Sequence, residues 1–354
     1  MTDPSLSRSA TLPLAIVATF TVFYVLWVAK PLLVPLAIAV LIWYMINALA
    51  NLYARAIFKR PTNWMALTLA LVTIAIGTIV VVAVIQDNIA SVKHAAPGYK
   101  ADLDQWLVRI YDLFGIKGLP TLSQFMASVD IGPIIGTFAG ALTGIVGDLA
   151  LVVVYVGFLL FEQKTFANKL EKMFPDAGRR QRIERVIDDI QLQIQTYIRV
   201  KTLVSVCTAL VGYVVLRLVG VDYASFWAVA IFLLNYIPIV GGTAATIFPS
   251  LLTLIQFDTF TPFLIVGVGL TSIHFAVGNV IEPKLMGSSL NLSPLVVVLS
   301  LVLWGGLWGV PGMFLCVPIM VIVLIILSHF DATRPLAAML SERGDVSQGG
   351  RSFP

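Results

Sequence analysis

Blocks of apolar residues about 20 positions long recur along the chain, and they restrict its fold more than any other feature of the sequence. A helix needs roughly 20 apolar residues in succession to cross a hydrocarbon core about 30 Å thick. The sequence therefore predicts an all-α, polytopic integral membrane protein with about eight transmembrane helices. The predicted spans are 12–28, 31–50, 63–86, 139–161, 201–219, 224–237, 262–281 and 293–328.

The content of charged residues is too low for a soluble protein of this size. Of the 354 residues, 12% are charged and 58% are hydrophobic, whereas a soluble domain has about 25% charged residues. The net charge of +4 is explained by membrane topology, so we do not expect a nucleic acid partner. Cys207 and Cys316 lie inside apolar blocks, without the spacing of a zinc site or a disulfide framework. We expect no metal and no cofactor.

The distribution of basic residues predicts the orientation. Lys and Arg are retained on the cytoplasmic side in short loops and near the ends of spans. Placing the N-terminus inside assigns most of the 23 Lys and Arg residues to the cytoplasm. Both termini are therefore predicted to be cytoplasmic.

Two long polar segments divide the chain, and both are predicted to be amphipathic helices. In the external segment, 87–138, apolar residues recur at helical spacing, so it is expected to lie on the membrane or on a neighbouring subunit. The cytoplasmic segment, 162–200, has the same pattern and is expected to continue into the next span. The other predicted units are the first three spans within 1–86, the fourth span at 139–161, a transport core with broken helices at 201–331, and a disordered cytoplasmic tail at 332–354.

Proline and glycine interrupt the apolar stretch 232–256, at Pro238, Gly241, Gly242 and Pro249. An interior proline removes a helical hydrogen bond and clashes with the preceding turn, so a continuous helix is not expected here. The freed backbone groups must be covered by protein or line a watery cavity, because lipid cannot satisfy them. Whether the segment 238–256 crosses the membrane or turns back is left open.

A second interruption lies midway in the last block, from Trp304 to Pro318, and includes Pro311 and Gly312. The block is longer than one ordinary crossing requires. Paired Gly/Pro interruptions are typical of the substrate site of a transporter, where broken helices direct their ends toward the solute. The two interruptions are therefore candidate parts of a solute path.

Few ionisable residues fall within or against the predicted spans. Asn279, Glu282 and Lys284 lie between apolar flanks, although this segment can also be a solvated hairpin outside the membrane. His274 and Asp148 are further candidates for a proton or ion relay, because ionisable groups at membrane depth usually serve such a role. The alternatives are a packing histidine for His274 and an interfacial position for Asp148.

No common enzyme motif occurs in the sequence. HExxH, GxSxG and the Walker A loop are absent, which argues against zinc proteases, serine hydrolases and ATPases. Gly147-Asp148 keeps an intramembrane aspartyl protease as a remote alternative, but no other span supplies the second aspartate. A membrane scaffold without transport activity is the other remote alternative. We therefore expect secondary or passive transport and no enzymatic activity.

Three motifs resemble the autoinducer-2 exporter family of bacterial inner-membrane proteins. They are YIRVK at 197–201, LNYIPIVGG at 234–242 and GNVIEPKLMGSSLNLSPLVVVLSLVLWGGLWGVPGMFLCVPI at 278–319. The resemblance implies about eight spans with broken or re-entrant elements, and a homo-oligomer, with a pentamer as the first expectation. It also implies export of autoinducer 2, or exchange of sodium or lithium for protons. The matching positions are Asn235, Pro238, Gly241, Gly242, Asn279, Glu282, Pro283, Gly287, Pro294, Gly309, Gly312 and Pro318.

Together these observations predict an exporter of a small polar metabolite such as autoinducer 2, located in the bacterial inner membrane. The alternative is a sodium (lithium)/proton antiporter in which Glu282 alternates between proton and metal. The expected partners are the lipid bilayer, the polar solute, a coupling cation or proton, and further copies of the chain. The residues predicted to line the path are Asn235, Pro238, Gly241, Gly242, Asn279, Glu282, Pro283, Lys284, Pro311 and Gly312.

Overall fold

A computed structural model describes residues 4–58, 64–88, 147–287 and 291–344, and these ranges are built from α-helices without a β-sheet. In lipid, a helix satisfies all its backbone hydrogen bonds within one segment, which explains why the apolar blocks are helical. The predicted all-α fold is confirmed. The helices are α1 (Pro4–Val28), α2 (Lys30–Tyr53), α3 (Trp64–Asn88), α4 (Leu149–Glu162), α5 (Phe166–Met173), α6 (Ala177–Val219), α7 (Ala224–Leu234), α8 (Val240–Gln256), α9 (Thr261–Ala276), α10 (Glu282–Met286), α11 (Pro294–Trp308), α12 (Val310–Ser328) and α13 (Arg334–Leu340).

Five helical stretches of the described ranges are long and apolar enough to cross a membrane. They comprise α2, α3, α6, α12, and α9 joined to α10 through the π-helical turn Val277–Ile281. Helices α4 and α5, which are bent by 65° relative to each other, form a sixth if they act as one span. Part of the difference from the expected eight lies in α7, α8 and α11, which are apolar but shorter than a full crossing. The predicted external segment, 87–138, lies almost entirely outside the described residues.

Helices α7 and α8 form a hairpin that turns back on itself. They contain 11 and 17 residues, which corresponds to about 16 and 26 Å at 1.5 Å per residue. The Gln256 side chain at the end of α8 donates to the carbonyl of Gly220 and accepts from the amide of Asp222, both at 2.8 Å. These bonds place the end of α8 beside the start of α7. The segment 238–256, whose course the sequence left open, therefore turns back.

Helices α11 and α12 form a second hairpin, which begins its return at Gly309. The φ angle of Gly309 is +70°, a conformation that L side chains rarely adopt. The Ser300 hydroxyl on α11 donates to the carbonyl of Cys316 on α12 at 3.2 Å, so the helices lie side by side. At the tip, the Trp308 indole donates to the carbonyl of Leu26 at 3.0 Å. The block 293–328 is thus two adjacent helices.

The prediction that Pro249 interrupts its helix is wrong, and Pro318 likewise lies inside continuous helix. Hydroxyl groups beside Pro249 bond to backbone carbonyls of the same helix, from Ser250 to Thr246 at 2.7 Å and from Thr253 to Ser250 at 2.6 Å. The carbonyl that loses its amide partner at Pro249 is that of Ala245, four positions earlier, so these bonds are additional to the one that the proline removes.

Helix α6 is the centre of the packed core. It contains 43 residues, which corresponds to about 65 Å, and it joins the polar segment 162–200 to the following apolar block. Gly212 allows α7 and α9 to approach α6, since a Cβ atom there would lie 2.8 Å from the Ile231 side chain and 3.4 Å from that of Leu270. The α7–α8 hairpin and α9 are thereby fixed against α6.

The start of the C-terminal tail, expected to be disordered over 332–354, is ordered. Helix α13 packs with Ala337 fully buried. The amide of Ser293 donates to the carbonyl of Leu340 at 3.0 Å, and that of Glu342 donates to the carbonyl of Asn291 at 3.2 Å. These bonds join the tail to residues 291–293, which lead into α11. The sequence does not predict this contact, because a segment of so few residues shows no periodicity.

Candidate functional site

A cavity of about 710 Å³ lies between the tip of the α7–α8 hairpin, helix α9 and the π-helical turn. Cavities that bind small molecules typically measure about 300–1,000 Å³. Helix α6 contributes the opposite wall. The polar residues that line the cavity are Tyr197, Lys201, Asn235, Thr243, Thr246, Thr271, His274, Asn279 and Glu282.

The tip of the hairpin is held against α6 by two side-chain hydrogen bonds. Asn235 donates from Nδ2 to the Ser205 hydroxyl at 3.0 Å, and the hydroxyls of Tyr236 and Thr202 are 2.7 Å apart. Ile239 has a φ of +62°, unusual for a β-branched residue. Strained backbone of this kind persists only where the surrounding contacts determine it, and it clusters at functional sites. The tip is therefore a fixed wall of the cavity.

Lys201 and Glu282 form a buried ion pair at the cavity. The Lys201 Nζ lies 2.6 Å from the Glu282 Oε1, and the two side chains are 8% and 19% exposed. The pair joins the middle of α6 to the start of α10. Removing charges from water is costly unless they are paired with good geometry. The pair supplies two strong hydrogen-bonding groups without a net charge.

Two residues that line the cavity each have a buried polar atom without a hydrogen-bond partner among the described residues. They are the Tyr197 hydroxyl and the Nε2 of His274, and both are buried. The other ring nitrogen of His274 lies 2.9 Å from the carbonyl of Leu270 and 3.2 Å from the Thr246 hydroxyl. If Nδ1 donates to that carbonyl, Nε2 of a neutral ring is an acceptor. Buried polar atoms without protein partners require water or a ligand.

The π-helical turn Val277–Ile281 places Asn279 at the cavity. Its Nδ2 donates to the carbonyl of Phe275 at 3.1 Å, within the same helix. Single π-helical turns inside α-helices are frequent at functional sites, because they displace the following side chains from the regular helical face. Here the turn leads directly to Glu282.

The structure brings together only part of the path predicted from the sequence. Asn235, Pro238, Gly242, Asn279 and Glu282 line the cavity, together with the relay candidate His274. The others do not line it. Gly241 packs behind the tip against Leu234, Pro283 and Lys284 are exposed, Pro311 and Gly312 belong to the second hairpin, and Asp148 is exposed before α4.

Lys201 and Tyr197 were missed as site residues. The sequence placed Lys201 at the cytoplasmic border of a span, where a lysine needs no partner. However, Tyr197 and Lys201 are four positions apart on α6, so they share one face of the helix. Both belong to the YIRVK motif, and Glu282 in an apolar setting requires a counter-charge. The motif and the need for a counter-charge could together have predicted the ion pair between Lys201 and Glu282.

Comparison with known proteins agrees with this architecture. The family model described as "AI-2E family transporter" matches residues 14–332. A Haemophilus influenzae protein named "Putative transport protein" is 32% identical over 329 residues, which cover 90% of each chain. The Escherichia coli (strain K12) protein named "AI-2 transport protein TqsA" is 29% identical over 320 residues, covering 89% of this chain and 90% of that protein.

Proposed function

Because this chain belongs to the AI-2E family of transporters, as its motifs predicted, we propose that it exports a small polar solute through the cavity beside α9. It is a multi-pass transport protein of the bacterial inner membrane. A solute of the autoinducer-2 type is the first candidate, in line with the name of the Escherichia coli relative. Cytoplasmic termini and assembly into a homo-oligomer, with a pentamer as first expectation, remain part of the proposal.

The observation that carries the proposal is the combination of unpaired polar atoms and a neutralised ion pair in one cavity. The Tyr197 hydroxyl and the His274 Nε2 have no partner among the described residues. Both atoms are buried, so a small side-chain movement must precede the hydrogen bonds that a hydroxyl-rich, uncharged solute would make to them. The site is not required to balance a charge on such a solute. These groups are therefore suited to bind an autoinducer-2-like molecule.

The ion pair argues against the sodium (lithium)/proton exchange considered as the alternative. An antiporter of that kind needs a carboxylate that alternates between a proton and a metal ion. The Glu282 Oε1 lies 2.6 Å from the Lys201 Nζ, so a metal would have to displace a bound ammonium group. A neutral solute does not face this competition.

Transport by the purified protein in liposomes tests the proposal. We expect autoinducer 2 to leave protein-containing liposomes faster than protein-free liposomes, and a sodium gradient to produce no change of internal pH. A sodium-driven pH change without efflux of autoinducer 2 would support the antiporter. In that case Glu282→Gln should abolish the proton-coupled cation flux. If neither solute moves, a structural role is the better interpretation.

Tyr197→Phe should weaken transport without weakening the fold. The substitution removes one hydroxyl that has no partner among the described residues, so no protein hydrogen bond is lost. One lost hydrogen bond to the solute is worth about 0.5–1.5 kcal/mol, which predicts a reduction of roughly 2- to 10-fold in initial efflux rate at low solute concentration. The melting temperature in detergent should stay at the wild-type value.

Tyr213→Phe is the matched control, because Tyr213 also lies on α6 but does not line the cavity. It should leave the efflux rate unchanged. Equal rates for the two variants and the wild-type protein would show that the Tyr197 hydroxyl does not contact the solute.

A further inference from the structure

A second cavity, of about 430 Å³, lies between α8 and α9 and adjoins the first. The two cavities have Thr246, Ile247 and Thr271 in common. From these shared residues, the second cavity extends toward Ser250 on α8 and toward Phe263 near the start of α9. The first extends in the opposite direction, to Glu282. The same groove between two helices thus contains both cavities.

Together the cavities cover almost the whole length of the α9 span. The residues from Phe263 to Glu282 rise about 28 Å at 1.5 Å per residue, and the hydrocarbon core of a bilayer is about 30 Å thick. Gln256 and the start of α9 lie at the base of the hairpin, while Glu282 lies beyond its tip. The groove therefore extends from one end of the span to the other.

The middle of this groove carries hydroxyl groups that can serve a solute. Thr271 and Ser272 are exposed on α9, and neither hydroxyl has a hydrogen-bond partner in the described part of the chain. By contrast, the hydroxyls of Thr246 and Ser250 on α8 donate to carbonyls of their own helix, at 2.9 and 2.7 Å. Polar groups at this depth are stable only against protein or water. These two hydroxyls lie in a lining that is otherwise mostly apolar, so they are the groups on the α9 side that can bond to water or to a solute.

Space in the second cavity depends on Gly267. A Cβ atom at this position would lie 3.6 Å from the Ser250 hydroxyl, which is ordinary van der Waals contact. An alanine is therefore tolerated, whereas a large side chain would occupy the groove between α8 and α9.

We propose that the two cavities are consecutive parts of one water-filled solute route, which crosses the membrane between α8 and α9. The inference rests on the proposed function, since the first cavity is the solute site from which the route continues. It assigns Thr271, Ser272 and Gly267 to the path, although none of them belongs to the Gly/Pro interruptions.

Cysteine labelling tests whether the second cavity contains water. In a Cys207→Ser, Cys316→Ala background, Ser272→Cys should react with a charged methanethiosulfonate reagent in proteoliposomes. Leu210→Cys is the control, because Leu210 is 60% exposed on α6 and lines neither cavity. It lies near the level of Ser272, since Gly212 of α6 faces Leu270 of α9. A thiol in lipid does not ionise, and the reagent attacks the thiolate. We expect at least tenfold faster labelling at position 272, and equal rates would overturn the proposal.

Blocking the groove provides a second test that is independent of the labelling. Gly267→Trp should lower autoinducer-2 efflux at least tenfold, whereas Ile265→Trp should leave it unchanged, because Ile265 is 50% exposed on the same helix and lines neither cavity. Normal efflux in a folded Gly267→Trp variant would overturn the route while the proposed function stands. Absence of efflux in the wild-type protein would instead refute the proposed function. If Gly267→Trp does not fold, the labelling rates decide.

Discussion

Lys201→Met is expected to lower the free energy of unfolding by up to about 3 kcal/mol, because it leaves the partly buried Glu282 carboxylate at the cavity without its counter-charge. The two side chains are 8% and 19% exposed, and their charged atoms are 2.6 Å apart. Water in the cavity reaches the Glu282 carboxylate only in part, so it offsets only part of the lost interaction with the ammonium group. The change should appear as a large drop in melting temperature in detergent, together with loss of efflux.

The double variant Lys201→Met/Glu282→Gln separates the stability of the pair from its function. Removing both charges should restore most of the lost stability, because replacing a buried ion pair with neutral groups is often nearly neutral. A stable double variant that still fails to export would show that the charges also serve the solute. If the single substitutions prove mild and additive, the ion pair does not contribute to the fold.

The exposed pair formed by Glu162 and Lys169 is the matched control for the buried one. Its side chains are 50% and 57% exposed, so water screens the two charges. Exposed ion pairs contribute about 0–1 kcal/mol. Lys169→Met should therefore leave the melting temperature close to the wild-type value.

The family and the all-α membrane fold could be predicted because both depend on local sequence. Apolar blocks indicate helices, and the motifs around Asn235 and Asn279 are contiguous. The breaks near Pro238 and Gly309 also follow from residues whose backbone preferences are strong. Pro249 and Pro318 have the same chemistry but lie in continuous helix, where the loss of one amide bond does not end the helix. The sequence alone does not distinguish these two outcomes.

The candidate site could be predicted only in part, since it depends on contacts between distant segments. Asn235 and Glu282 were found from their motifs, but their common cavity requires that the α7–α8 hairpin turn back. Lys201 lies 81 positions before Glu282, and no helical or strand period connects them. Asp148 was predicted as a relay because it is an acidic residue beside an apolar block. In the structure its side chain is exposed and does not line the cavity.

Gly241→Ala and Gly312→Ala are each expected to prevent a hairpin from closing. A Cβ atom at position 241 would lie 1.8 Å from the carbonyl oxygen of Leu234, and one at position 312 would lie 1.9 Å from that of Trp304. Real Cβ atoms essentially never approach so closely, and the obstacle in both cases is backbone rather than a flexible side chain. We expect losses of more than about 3 kcal/mol in the free energy of unfolding.

Gly306→Ala is the control within the second hairpin, because a Cβ atom at position 306 meets no atom within 4 Å. Alanine is about 1 kcal/mol more favourable than glycine inside a helix, so this variant should be as stable as the wild-type protein or slightly more stable. The three variants are compared by their size-exclusion profiles and by their melting temperatures in detergent. If Gly241→Ala is as stable as Gly306→Ala, then α7 and α8 do not approach each other closely at Gly241. In that case the cavity wall at Asn235 would not be fixed. Gly312→Ala should destabilise the protein without altering that wall, because Gly312 lies in the other hairpin.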